Sequence, residues 1–155
     1  MRVLNDDEIT QLQFAIDAHD QDTVAQLLDR LTGDELTELQ FYLNSTAFMY
    51  ACRRSTPEVA ALFVERGVAP FELPYSDNNE LKSAVLSNRY SLEMTKLVLN
   101  WLPQDMVEDM ITSDWDPEDG EGAESCLSAL ELARAGKNKD VVELLRRALK
   151  EDRGA

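Results

Sequence analysis

Residues 46–71 read TAFMYACRRSTPEVAALFVERGVAPF, an order of apolar, capping and terminating residues that describes a helix, a break, a second helix and a stop. Phe48, Ala51 and Cys52 share one face of the first helix at i, i+3, i+4 spacing. Ser55 or Thr56 then caps a new helix with Pro57 at its first position and Glu58 just inside, which satisfies free amides and suits the positive end of the dipole. The second helix buries Val59, Leu62 and Phe63 and stops at Gly67, where the missing Cβ lets the chain turn left-handed. Two helices with one apolar stripe each cannot cover both stripes alone, so the chain must supply neighbours.

The neighbours repeat the same register. Ser128-Ala129-Leu130-Glu131-Leu132-Ala133 is followed by Asp140-Val141-Val142-Glu143-Leu144-Leu145, and a constant offset of 82 maps both segments onto residues 46–63 without a gap. Upstream, Leu12-Gln13-Phe14-Ala15 leads through His19 to Val24, Leu27 and Leu28. Between the two good copies, Leu81, Ala84 and Val85 lead to Met94, Leu97 and Val98. A small residue at a fixed place on each first helix, Ala15, Ala51, Ala84 and Ala133, marks four units at intervals of 36, 33 and 49 residues.

A unit of about 33 residues with a T-P-L-H-x-A opening resembles the ankyrin repeat. Residues 46–52 keep the Thr, the apolar third position and the Ala, with Ala47 in place of Pro and Met49 in place of His. Residues 58–70 are similar to the family's second helix and its Gly-terminated end. The fourth unit keeps Leu130, Ala133, Val141, Val142, Leu144 and Leu145 but has no Gly terminus, as suits a capping unit. The resemblance implies an all-α fold: an ankyrin-like solenoid of stacked antiparallel helix pairs with irregular finger loops. Its units span about residues 10–45, 46–78, 79–112 and 126–153 in one domain, with an acidic insertion at about 104–125. Stacked pairs of this kind offer a concave surface of inner helices and fingers to protein partners.

The remaining segments are read individually. Asn5-Asp6-Asp7-Glu8 starts a helix in which Ile9, Leu12, Phe14 and Ile16 are expected to be partly buried. Gly33 begins another, with Leu36, Leu39, Tyr42 and Leu43 as its apolar stripe. Residues 68–79, with two prolines and a turn cluster, are expected to project between units. His19, the single histidine, is read as a turn residue. The N-terminal residues resemble neither a signal peptide nor a membrane span, and the two cysteines, Cys52 and Cys126, are expected to be reduced; the expected location is cytoplasmic.

Charge is distributed unevenly. The chain has 30 acids against 15 bases, a net charge of −15, and residues 104–125 hold nine of the acids and no base. Residues 1–44 hold ten acids against Arg2 and Arg30, whereas residues 45–103 balance at six against six. Phosphate contacts need Lys and Arg, so nucleic-acid binding is not expected. Asp114, Asp116 and Glu118 have the one, three, five spacing of a calcium loop, but Asp119 stands where that loop needs Gly and Ser125 where it needs Glu, so neither metal nor cofactor is expected. No phosphate-cradling or nucleophile-elbow motif occurs, and the expectation is a protein that is not an enzyme.

Binding is what these exclusions leave. Trp115, Tyr75, Tyr50 and Arg53 are the candidate anchors, and Asp114, Asp116, Glu118, Asp119 and Glu121 would recognise a partner with a basic surface. The expected role is a protein-binding module, monomeric when free, that docks such a partner. An inhibitor or immunity protein occluding the basic active site of a toxin or nuclease is the alternative, and a subunit stable only within a complex a third.

Overall fold

The computed structural model describes residues 4–42, 45–71, 79–112 and 127–154. They are mostly helical. The first pair is α1 (Asp6–Asp17) and α2 (Gln21–Leu28), the second α4 (Ala47–Arg54) and α5 (Pro57–Glu65), and the third α6 (Glu80–Val85) and α7 (Ser91–Trp101). A fourth consists of α9 (Ala129–Ala135) and α10 (Lys139–Gly154). Three shorter pieces lie between pairs: α3 (Gly33–Glu38), a 3-10 turn at Gln104–Met106, and α8 (Val107–Thr112).

Side-chain caps start most of these helices. Asn5, Thr32 and Ser128 form capping boxes with Glu8, Glu35 and Glu131, each pair satisfying two otherwise free amides. Thr56, not Ser55, caps α5 by accepting the Val59 amide proton. The ends of α1, α5 and α9 share one hydrogen-bond pattern. Asp20 N–H reaches Ala15 O, Val68 N–H reaches Phe63 O and Asn138 N–H reaches Ala133 O, with His19, Gly67 and Lys137 at positive φ between. Gly67 supplies the stop expected of it at φ 85°, and it lies against Gly33, where the crowding is: a Cβ on Gly33 would lie 3.1 Å from the Gly67 carbonyl oxygen.

The four anchoring alanines are all buried, and the helices that carry them touch in chain order, α1 to α4, α4 to α6 and α6 to α9. Behind them α2, α5, α7 and α10 touch in the same order. One apolar cluster runs from Leu4 through Leu12, Phe48, Phe63 and Met94 to Leu145. Trp101 fastens the third pair to the second: its ring meets Phe48 edge-on at 4.9 Å and its Nε1–H donates to the Val68 carbonyl at 2.8 Å.

Four expectations are corrected. Phe14 is 69% exposed, because Leu12, Ala15 and Ile16 take the inward face of α1. The helix beginning at Gly33 ends at Glu38; Leu39 turns extended, and Gln40–Tyr42 (β1) pairs antiparallel with Ser45–Thr46 (β2) instead of continuing an apolar stripe. The insertion opens as helix, with Val107 and Ile111 of α8 buried where α8 packs on α9 and α10. Finally, α6 buries all six of its residues and α4 buries Ala47 through Cys52, so the inner helices of the middle pairs offer no open flank. Exposed surface lies on the other elements, among them α1 and the turns between paired helices.

Candidate functional site

Each anchoring alanine fixes the position of the turn that follows it. Four residues beyond Ala15, Ala51 and Ala84 stand His19, Ser55 and Asn88, and stacking the pairs brings these three turns side by side. Between them opens a cavity of about 330 Å³. Asp17 and His19 line it from the first pair, Arg54 and Ser55 from the second, and Asn88, Arg89 and Tyr90 from the third.

Bonds between units hold this row of turns in place. Ser55 Oγ donates to the Ile16 carbonyl at 2.8 Å, and Asn88 N–H donates to the Arg53 carbonyl at 3.0 Å. His19 Nδ1 lies 3.2 Å from Ser55 Oγ. Because the Ser55 proton is committed to Ile16, Ser55 Oγ can only accept from the ring, which assigns the proton to Nδ1. The sole histidine therefore acts as a strut in the turn row, as its turn position suggested.

The cavity's charge is unlike that of the chain as a whole. Its lining has two guanidinium groups, Arg54 and Arg89, against one carboxylate, Asp17. Both Asp17 oxygens accept the Tyr50 hydroxyl, at 2.9 and 2.8 Å. Elsewhere among the described residues Arg30 pairs with Glu8, Arg66 with Asp29 and Arg147 with Glu143, whereas neither Arg54 nor Arg89 has a carboxylate within ion-pair distance. Arg54 instead lies over the Tyr50 ring, 5.2 Å from its centroid.

The candidate anchors fare differently. Tyr50 is only 6% exposed, its ring edge-on to Phe41 at 5.2 Å and its hydroxyl on Asp17; burial, against the Gln13 hydrogen bond and with the Asp17 one, pushes that hydroxyl above the usual tyrosine range. It is a wall behind the cavity, with little surface left for a partner. Arg53 is exposed at the same end of α4. Tyr75, Asp114, Trp115, Asp116, Glu118, Asp119 and Glu121 lie outside the described residues. Among the described residues no group of three or more His, Cys, Asp or Glu is placed to hold a metal ion, and no helix is long and apolar enough to cross a membrane. Cys52 is fully buried, and burial, with the charge of Glu80 adding to it, pushes its thiol well above the usual range.

What the sequence points to less directly is an acidic face on the first pair. Asp6, Asp7, Asp17, Asp20, Asp22 and Asp29 are all exposed, and Phe14 rises from α1 between Asp7 and Asp17. No protein-family model, no curated protein and no solved structure matches this chain.

Proposed function

We propose that the chain is a non-catalytic protein-binding module, an ankyrin-like solenoid that docks a partner with a basic surface. The side-by-side order of α1, α4, α6 and α9, with α2, α5, α7 and α10 behind, supports the solenoid. The observation that carries the docking role is Phe14, exposed on the face of α1 that also carries Asp7 seven residues before it and Asp17 three after. An apolar anchor flanked by two carboxylates joins desolvation energy to electrostatic steering, the combination that gives affinity and on-rate towards a cationic surface.

A photo-crosslinking amino acid placed at position 14 tests this in a lysate of the source cells. The expected product is a basic protein whose crosslinking falls steeply between 0.05 and roughly 0.5 M salt, as the Debye length shortens to a few ångströms, and is lost when Asp7 and Asp17 become Asn. A crosslinked protein indifferent to both changes, or none at all, would overturn the reading.

A further inference from the structure

We propose that the cavity in the turn row binds an oxyanion group, a phosphate or a carboxylate, carried by a small organic molecule. On a chain with twice as many acids as bases, two arginines that have no carboxylate partner among the described residues line one cavity. Guanidinium is the side-chain group best matched to planar and tetrahedral oxyanions, because its fork of N–H donors meets two oxygens at once. The Asp17 carboxylate, which could have neutralised one of them, is held by the Tyr50 hydroxyl, and Arg54 lies over the same ring. Asn88 and Tyr90 line the cavity beside Arg89.

The arrangement is also preorganised. Arg54 and Ser55 close α4, Asn88 and Arg89 precede α7, and the backbones at these two places are joined by the Asn88 N–H to Arg53 carbonyl bond. Binding then costs side-chain order but little backbone order, which favours a small ligand. The 11-residue α7 begins at this wall with no side-chain cap, so its positive end adds to the same field. A volume of about 330 Å³ is larger than a bare ion needs and lies at the lower end for a small-molecule pocket, which sets the size class. The overall charge of −15 acts against an anion at long range, but screening limits that opposition to roughly 8–10 Å at physiological salt. The site shares Asp17 with the Phe14 face, and the Arg54→Gln/Arg89→Gln pair separates the two, because it leaves Asp7, Phe14 and Asp17 in place.

Inorganic phosphate and sodium acetate, titrated separately into the full chain at constant ionic strength and followed by backbone amide spectra, test the site. The expected result is a saturable shift of the amides of Ser55, Asn88, Arg89 and Ser91. In an Arg54→Gln/Arg89→Gln variant with unchanged circular dichroism, the affinity should fall at least about tenfold, since a hydrogen bond to a charged group contributes about 1.5–3 kcal/mol. An Arg134→Gln/Arg146→Gln variant, with the same change of net charge on the fourth pair, should bind within about twofold of the parent chain, less than half a kcal/mol. Saturation by phosphate assigns the phosphoryl class, and saturation by acetate alone the carboxylate class. If neither anion shifts these amides, or if the two variants behave alike, the proposal fails.

Discussion

Ser55 Oγ donates to the carbonyl of Ile16 at 2.8 Å, tying the turn of the second helix pair to the last turn of α1 across 39 residues of chain. Ser55 is buried, and its hydroxyl also receives His19 Nδ1. The Ile16 carbonyl keeps the His19 amide as a second donor at 3.1 Å, so removing the hydroxyl does not orphan it. Ser55→Ala should therefore cost about 1 kcal/mol, the net contribution of one hydrogen bond, and loosen the turn row without unfolding the stack. Urea unfolding of the two proteins measures the cost, and faster amide exchange at His19 and Asp20 in the variant would report the loosening. An unchanged midpoint and unchanged exchange would mean that the bond does not hold the two turns together.

Ala51 is the anchoring alanine of α4. It has no exposed surface, and α4 is packed against α1 on one side and α6 on the other. Ala51→Leu inserts three carbons where no void is left for them, so a loss of about 1–3 kcal/mol is expected. The thermal midpoint should drop by several degrees, at roughly 2–4 °C per kcal/mol for a chain of this size. Arg53→Leu, two residues on and exposed, controls for the residue type. Equal melting of the two variants would contradict the close approach of the inner helices.

Thr95 on α7 offers a test of opposite sign. It is fully buried and its Oγ1 has no hydrogen-bond partner among the described residues. A buried hydroxyl without a partner carries its desolvation cost uncompensated, and valine has the same shape. Thr95→Val should leave stability unchanged or raise it by about 1 kcal/mol, measured by urea unfolding. A loss of more than about 1 kcal/mol would show that the hydroxyl is satisfied in solution, as by a trapped water.

The alanine register was legible because a close helix approach admits only small residues, and that demand leaves a mark at a fixed place in each unit. The stretch after Gly33 was misread for a matching reason: Leu36, Leu39 and Tyr42 lie three apart, which fits a helical stripe, yet Leu39 is extended because its neighbours pair with Ser45 and Thr46, a contact local spacing does not encode. Phe14 is apolar by type, and nothing in its own type says that Leu12, Ala15 and Ile16 have already filled the inward face. The cavity was the least visible. Its turn residues are His19, Ser55 and Asn88, three different types, so no motif unites them; extending the alanine register by four positions would have aligned them and placed Arg54 and Arg89 beside them. In the insertion, Val107 and Ile111 stand among nine acids at the i, i+4 spacing of α8.

Glu80 gives the fold a dependence on pH. It opens α6, is 2% exposed, and accepts the Phe71 amide proton at 3.0 Å through Oε2. Burial outweighs that hydrogen bond and raises its carboxyl from 4.5 to about 7. Between these two values the folded chain keeps a proton that the unfolded chain has released, so the contribution of Glu80 to stability is full below pH 4.5 and falls as pH rises through 7. Above that the penalty is constant, on the order of 3 kcal/mol. Glu80→Gln keeps an oxygen for the Phe71 amide and removes the charge. The variant should match the parent chain near pH 4.5 and exceed it by an amount that grows to a plateau by about pH 8, when the two are unfolded in urea at a series of pH values. A constant offset between the two curves would show that the Glu80 carboxyl ionises at the same pH folded and unfolded.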